Sequence, residues 1–288
     1  MSFGPNPWQQ QSWDARAAGN FMGGGAGSGL VVFAALAGGP AWLLPAAAAL
    51  VALGLFSVFL EIGRPLRAAN VIRHPARSWM TREAMVAPLL FATVAAAWLG
   101  GARFAVLGGL AALTALAFVY CQGRMLQAAK GIPAWREPLT VPLIVATGLA
   151  EGGGLWLLLA APAGPAALLP WLGFALALVA RFALWLAWRR RLRAAPRALA
   201  AIDRAGHAFK AATLLPLAIA LWAVSSPLPP AAAIALQVLA GALALAGGLW
   251  FKFTLVTRGA YNQGFALTRL PVRGVRRGQA LPRRDDHG

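Results

Sequence analysis

Cysteine is almost missing from this sequence, with Cys121 alone in 288 residues. A lone thiol builds no disulfide, no zinc cluster and no iron–sulfur ligand set. Histidine is nearly as scarce: His74 falls in an expected loop, His207 at a helix entrance and His287 in the tail. A bis-histidine haem needs imidazoles at matching depth on facing helices, so no haem is expected. Only 8 residues are acidic, against 26 Lys and Arg. Asp285–Asp286 is a terminal pair and not a metal–diphosphate motif inside a helical cavity, so no metal site is expected. No serine, histidine and aspartate combine into a hydrolytic set. Charge as a whole is rare, at 12% of residues against roughly a quarter in soluble domains. The opening MSFGPNPWQQQSWDAR lacks the basic start of a secretory signal and reads as a surface arm.

What fills the chain is apolar: 59% hydrophobic residues and a mean hydropathy of +0.65. Such a chain has exchanged solvated surface for lipid-facing surface. A spanning helix needs roughly 20 mostly apolar residues. Eight such stretches can be placed, at 17–38, 43–62, 83–100, 104–122, 139–161, 165–188, 208–226 and 231–254. The runs are continuous rather than alternating, which excludes strands as the main element. The expected fold is all-α, a polytopic bundle of about eight transmembrane helices. Short connections make it a single domain over 1–288, with an arm at 1–16, the bundle at 17–254 and a basic tail at 255–288.

The net charge of +18 is distributed unevenly along this plan. Arg16 precedes the first helix, and Arg64, Arg67, Arg73, Arg77 and Arg82 lie between the second and third. Arg124, Lys130 and Arg136 follow the fourth, and a run from Arg189 to Lys210 follows the sixth. On the opposite side only Arg103 appears. Such a bias is the positive-inside signal, so both termini are expected in the cytoplasm and the chain in a bacterial inner membrane. Nucleic-acid binding, which needs a folded basic surface or a stacking platform, is not expected. Trp42, Trp98, Trp171 and Trp222 fall near the expected outer interface, and Trp79, Trp135, Trp188 and Trp250 near the inner one, as two aromatic belts.

Ionisable residues inside the spans are functional suspects. Glu61 ends the second helix, Glu83 opens the third, Glu151 lies inside the fifth and Arg181 inside the sixth. Glu151 sits about 18 Å up its helix at 1.5 Å per residue, either as hydrogen-bonded structure or as a proton-handling group. Gly19, Gly23 and Gly27 recur every four residues, and Gly25 and Gly29 repeat the spacing. That is a smooth stripe for close helix packing or a surface for a flat ligand ring, and not a dinucleotide loop, since no strand precedes it. The segment Glu61–Glu83 is turn-rich and basic, and Ser78 or Thr81 is placed to cap the third helix. With the loop Gly123–Glu137 it forms either ordinary positive-inside surface or a platform that docks an acidic partner and roofs a pocket.

Those two loops carry a resemblance. EIGRPLRAANVIRHPARSWMTRE resembles the membrane-anchor subunits of DMSO-reductase-type molybdoenzymes, with their His/Glu-x-Gly-x-Pro-x-Arg turn and a Ser/Thr-x-Glu opening the third helix. YCQGRMLQAAKGIPAWREP is similar to the exit of their fourth helix. FGPNPWQQQSWDARAAGNFMGGGAGSGL and KFTLVTRGAYNQGFAL look most like the phenylacetyl-CoA:acceptor oxidoreductase branch, and the glycine stripe resembles the wider polysulfide-reductase, NrfD-type anchors. The likeness runs over nearly the whole chain.

The resemblance implies a quinone-reactive anchor, binding ubiquinone or menaquinone, with a ferredoxin-like iron–sulfur subunit and a molybdopterin (Mo/W) catalytic subunit as partners that carry the metal cofactors. This chain would then be non-catalytic for the organic substrate. Glu61, Gly63, Pro65, Arg67 and Glu83 match the family pattern around the quinone site, although the family often has histidine where Glu61 stands. Arg67, His74, Tyr120 and Asn20 are expected at the same depth, to bind the head and exchange its protons. Arg64, Arg73, Arg77, Trp79, Arg124, Trp135 and Arg136 are the expected docking residues for the iron–sulfur partner. The alternative is a secondary transporter with a midplane site around Glu151, kept open by Pro142 and Pro216. A lipid-modifying enzyme lacks a catalytic constellation.

Overall fold

A computed structural model describes residues 4–60, 76, 78–100 and 104–265, apart from the side chains of 104 and 105. The elements in chain order are α1 (Ala15–Ala37), α2 (Leu43–Phe59), α3 (Trp79–Leu99), α4 (Phe104–Ala128), α5 (Pro133–Arg136), α6 (Thr140–Ala160), α7 (Leu168–Arg191), α8 (Pro196–Ser225) and α9 (Pro230–Phe253). Among the described residues there is no strand, only an isolated bridge between Gln9 and Tyr261. Seven helices are long and apolar enough to cross a bilayer, so the protein is a multi-pass membrane protein. The helix α2, at 17 residues, is the shorter apolar one.

Burial orders the bundle. The apolar windows of α1 and α6 are each 72% buried, against 22% for α8. Accordingly α1 packs on α2, α4, α6 and α9 and forms the centre, while α3 is held mainly by α4. Leu53, Leu113, Leu176 and Leu221 are more than half exposed, as lipid-facing side chains must be in a chain without enough polar surface to cover itself.

Glycine sets the central contacts. A Cβ on Gly23 would stand 2.7 Å from Leu50 O, and one on Gly27 2.7 Å from Ala47 O. The Gly19–Gly23–Gly27 row therefore seats α2. Gly29 of the other row seats α6, because Cβ atoms on Gly29 and Gly152 would each fall onto the backbone of the opposite helix. Close approach of this kind supplies van der Waals contact where lipid offers no hydrophobic drive.

Several boundaries differ from the sequence expectation. The third helix starts at Trp79, with Ser78 Oγ accepting from Thr81 N at 3.3 Å, so Glu83 lies a full turn inside it. The eighth element, α8, begins at Pro196 rather than at 208. Pro is favoured at a first helical position, and Arg197, Arg204 and Lys210 consequently ride on helix instead of loop. A one-turn helix, α5, was not expected. Asp14 caps α1 by accepting from Arg16 N at 2.7 Å, and the Arg16 guanidinium beside it holds the Asp14 carboxyl below the usual carboxylate range.

The tryptophan belts need correction. Trp42, Trp98, Trp222 and Trp250 are exposed, but Trp171, Trp135 and Trp188 are buried. Trp135 Nε1 donates to Leu255 O at 2.9 Å and Trp188 Nε1 to Thr140 Oγ1 at 2.9 Å. A buried indole must satisfy its N–H, and these do so on protein, not at a lipid interface.

The arm and the end of the last helix meet. Gln10 N donates to Ala260 O at 2.9 Å, Trp8 N to Asn262 Oδ1 at 3.0 Å, and Gln9 Nε2 to Thr257 O at 2.5 Å. Both described ends of the chain thus lie at one end of the bundle.

Candidate functional site

At that same end, Glu83 from α3 is buried at 3% exposure and Asn20 from α1 at 2%. Asn20 Nδ2 donates to Glu83 Oε1 at 3.1 Å. Gln122 from α4 donates from Nε2 to Asn20 O at 2.8 Å and lies beside the Glu83 carboxyl. Each position follows from local sequence. The Ser78 cap fixes where α3 begins, and the glycine face of α1 lets Gln122 approach: a Cβ on Gly24 would overlap Gln122 Nε2.

Next to this trio lies a cavity of about 180 Å³, walled by Asn20, Phe21, Trp13, Val58, Met80 and Met125. Asn20 Oδ1, buried in that wall, has no hydrogen-bond partner among the described residues, and neither does Gln122 Oε1. Buried polar atoms are seldom left so. An apolar, partly aromatic cavity with a few convergent polar groups is the usual form of a small-molecule site. Here it offers an acceptor on Asn20, with a carboxyl one hydrogen bond behind it.

Tyr120, expected in the same site, is 42% exposed and lies edge-on to Trp79 at 5.8 Å between ring centroids. It borders a different space, an apolar groove of about 800 Å³ between α1, α6 and α7. The guanidinium groups of Arg82 and Arg124 lie 4.0 and 4.6 Å from the centroid of the Trp79 ring, a cation–π stack at the basic end. Arg136 donates to Lys130 O at 2.9 Å. Trp135, expected as a docking residue, is instead 2% exposed and stacked on Trp13 at 4.8 Å. Its ring is core, so a partner surface cannot use it. Glu61, Gly63, Arg64, Pro65, Arg67, Arg73, His74 and Arg77 lie outside the described residues.

A second polar group sits deeper. Lys252 Nζ donates to Glu151 Oε2 at 2.6 Å, with both side chains fully buried. Arg181, also fully buried, donates to Ala244 O at 3.0 Å, Ala212 O at 2.7 Å and Thr213 Oγ1 at 2.7 Å. Glu151 and Arg181 stand out in the sequence as ionisable residues inside expected spans; Lys252 and Gln122 were not among the expected site residues. The available signal for Lys252 was its place inside the apolar run 231–254, two residues short of its end. Compared with known proteins, the chain matches no protein-family model and no curated sequence.

Proposed function

We propose that this chain is the quinone-reactive membrane anchor of a molybdopterin (Mo/W) oxidoreductase, and that the head of a ubiquinone or menaquinone occupies the cavity beside Asn20 and Glu83. The observation that carries the reading is a small apolar cavity whose wall holds an unmet acceptor, Asn20 Oδ1, with the buried Glu83 carboxyl one hydrogen bond behind it. Reducing a quinone consumes two electrons and two protons, and oxidising a quinol returns them. The electrons would come from or go to an iron–sulfur subunit at the basic end. A quinol hydroxyl would donate to Asn20 Oδ1, and Glu83 would accept or supply protons next to it. The resemblance of the loop after α2 supports this assignment and would add Glu61, Arg67 and His74 to the site. The Arg82–Trp79–Arg124 stack, with Arg64, Arg73, Arg77 and Arg136, would form the docking face.

The test is Glu83→Gln, which keeps size and hydrogen bonding but removes titration. It should leave the complex assembled and dye-linked turnover intact while quinone-linked turnover falls about a hundredfold or more. Full quinone turnover in an assembled variant would exclude the proton role.

We further propose that α2 crosses the membrane, giving eight spans, and that both ends are cytoplasmic in a bacterial inner membrane. The pairing of the two described chain ends supports an even number of crossings, as does Arg16 Nη1, which donates to Leu60 O at 2.9 Å and joins the start of α1 to the end of α2. The basic bias of the connections supports the orientation. With Cys121 buried, introduced thiols report cleanly. Ala41→Cys and Ala163→Cys should be labelled from outside intact cells and Arg193→Cys should not; the opposite pattern would invert the topology.

The transporter reading rests on the charged midplane group. Against it, α6 runs uninterrupted past Glu151 and the carboxylate is already paired with Lys252, whereas transporter sites typically use broken helices. Copurification separates the two, since an anchor brings iron–sulfur and molybdenum subunits and a transporter purifies alone.

A further inference from the structure

Away from that site, α7 and α8 frame a cleft of about 300 Å³ lined by Trp185, Leu186, Arg189, Asp203, His207 and Lys210. Asp203, His207 and Lys210 recur at helical spacing and form one stripe along α8. Arg189 closes the far wall through two 2.6 Å hydrogen bonds, from Nε to Asp203 Oδ1 and from Nη2 to Asp203 Oδ2. That ion pair cancels one charge of each sign, so Lys210 leaves the cleft net positive.

The decisive group is Trp185. Its side chain is 3% exposed, held between Phe182 and Phe209 at 6.2 and 5.4 Å, and its Nε1–H has no partner among the described residues. The cleft is thus lined by a tryptophan with an unmet indole N–H, an imidazole and an ammonium, with a guanidinium in the wall. These are donors suited to the oxygens of one phosphate. Its depth says which phosphate. Arg189 stands where the apolar run of α7 gives way to Arg189–Arg191, which is headgroup level. Along α8 the same stripe continues from Lys210 into Leu214 and Leu221, 42% and 58% exposed, a track for an acyl chain.

We propose that this cleft binds the phosphate of an anionic phospholipid, its chains lying along α8. Diffuse attraction of a basic surface is worth about 1 kcal/mol per residue; the buried indole and the fixed Arg189–Asp203 wall make this a site rather than a field. It is independent of the quinone reading.

The full chain, purified in mild detergent, is titrated with phosphatidylglycerol or phosphatidylcholine, and retained lipid is read by native mass spectrometry. Phosphatidylglycerol should be preferred by about tenfold, one such step being 1.4 kcal/mol. The double variant His207→Ala/Lys210→Ala, at accessible positions, should abolish the preference. Trp185→Phe should weaken binding severalfold while keeping the ring packing, and Arg190→Ala/Arg193→Ala, basic but outside the cleft, should leave it unchanged. Equal weakening by that outside pair would overturn the proposal in favour of diffuse attraction. Competition by millimolar inorganic phosphate would overturn the lipid assignment.

Discussion

Replacing Lys252 with methionine should cost about 3–5 kcal/mol of stability, because it strips the ammonium from a fully buried carboxylate. Glu151 Oε1 already lacks a hydrogen bond among the described residues, and packing is tight around it: a Cβ on Gly248 would stand 2.5 Å from that oxygen. Glu151→Gln should be costly too, since it leaves the ammonium unpaired. Removing both charges with apolar residues of similar volume, as in Glu151→Leu/Lys252→Met, should recover most of the loss, since buried pairs are often neutral against hydrophobic replacements. Arg181 survives either change on its own acceptors, Ala212 O, Ala244 O and Thr213 Oγ1. Unfolding of the detergent-solubilised variants checks this. Additive losses in the double variant would mean that the pair is not the unit, and recovered stability with lost quinone-linked turnover would assign it a role in function.

Gly152→Val should prevent accumulation of the folded protein altogether. The new Cβ would fall onto the Gly29 backbone, and α1 and α6 are the two central helices. Overpacking a core against movable side chains costs about 1–3 kcal/mol; here the obstacle is a main chain, so the helices themselves must separate and uncover Glu151. Gly109→Ala, also within a helix, is the contrast. Nothing stands within 4 Å of its Cβ position, so removing glycine's backbone freedom should leave stability unchanged or raise it by about 0.5–1 kcal/mol. Membrane accumulation and thermal unfolding of the two variants measure the difference. Equal tolerance at both positions would refute the packing account of the α1–α6 contact.

The same two glycines mark how far the sequence is legible. In the chain Gly109 and Gly152 each sit beside another glycine in an apolar run, and only the neighbouring helix distinguishes them. The four-residue spacing on α1 did announce close packing, because residues at i and i+4 share a helix face whatever lies opposite. It did not announce that Gly19, Gly23 and Gly27 take α2 while Gly29 takes α6. The candidate site was half legible: Asn20 and Glu83 were marked as polar groups at comparable depth, whereas Gln122 was passed over and Trp135 was assigned to a surface that it does not reach.

By itself, then, the sequence determined the lipid environment, the helical class, a cap at Ser78 or Thr81 for the third helix, and the concentration of positive charge in alternate connections. All of these depend on length, composition and spacing within one segment, which backbone geometry converts directly into helices that satisfy their own hydrogen bonds in lipid. Tertiary structure alone decided that Glu83 meets Asn20, 63 residues away, that Glu151 meets Lys252, 101 residues away, and which tryptophans are core. Those outcomes depend on the rotation and tilt of each helix against several neighbours at once. A hydrophobic run in lipid carries little signal for that rotation, because lipid-facing and core-facing residues are equally apolar.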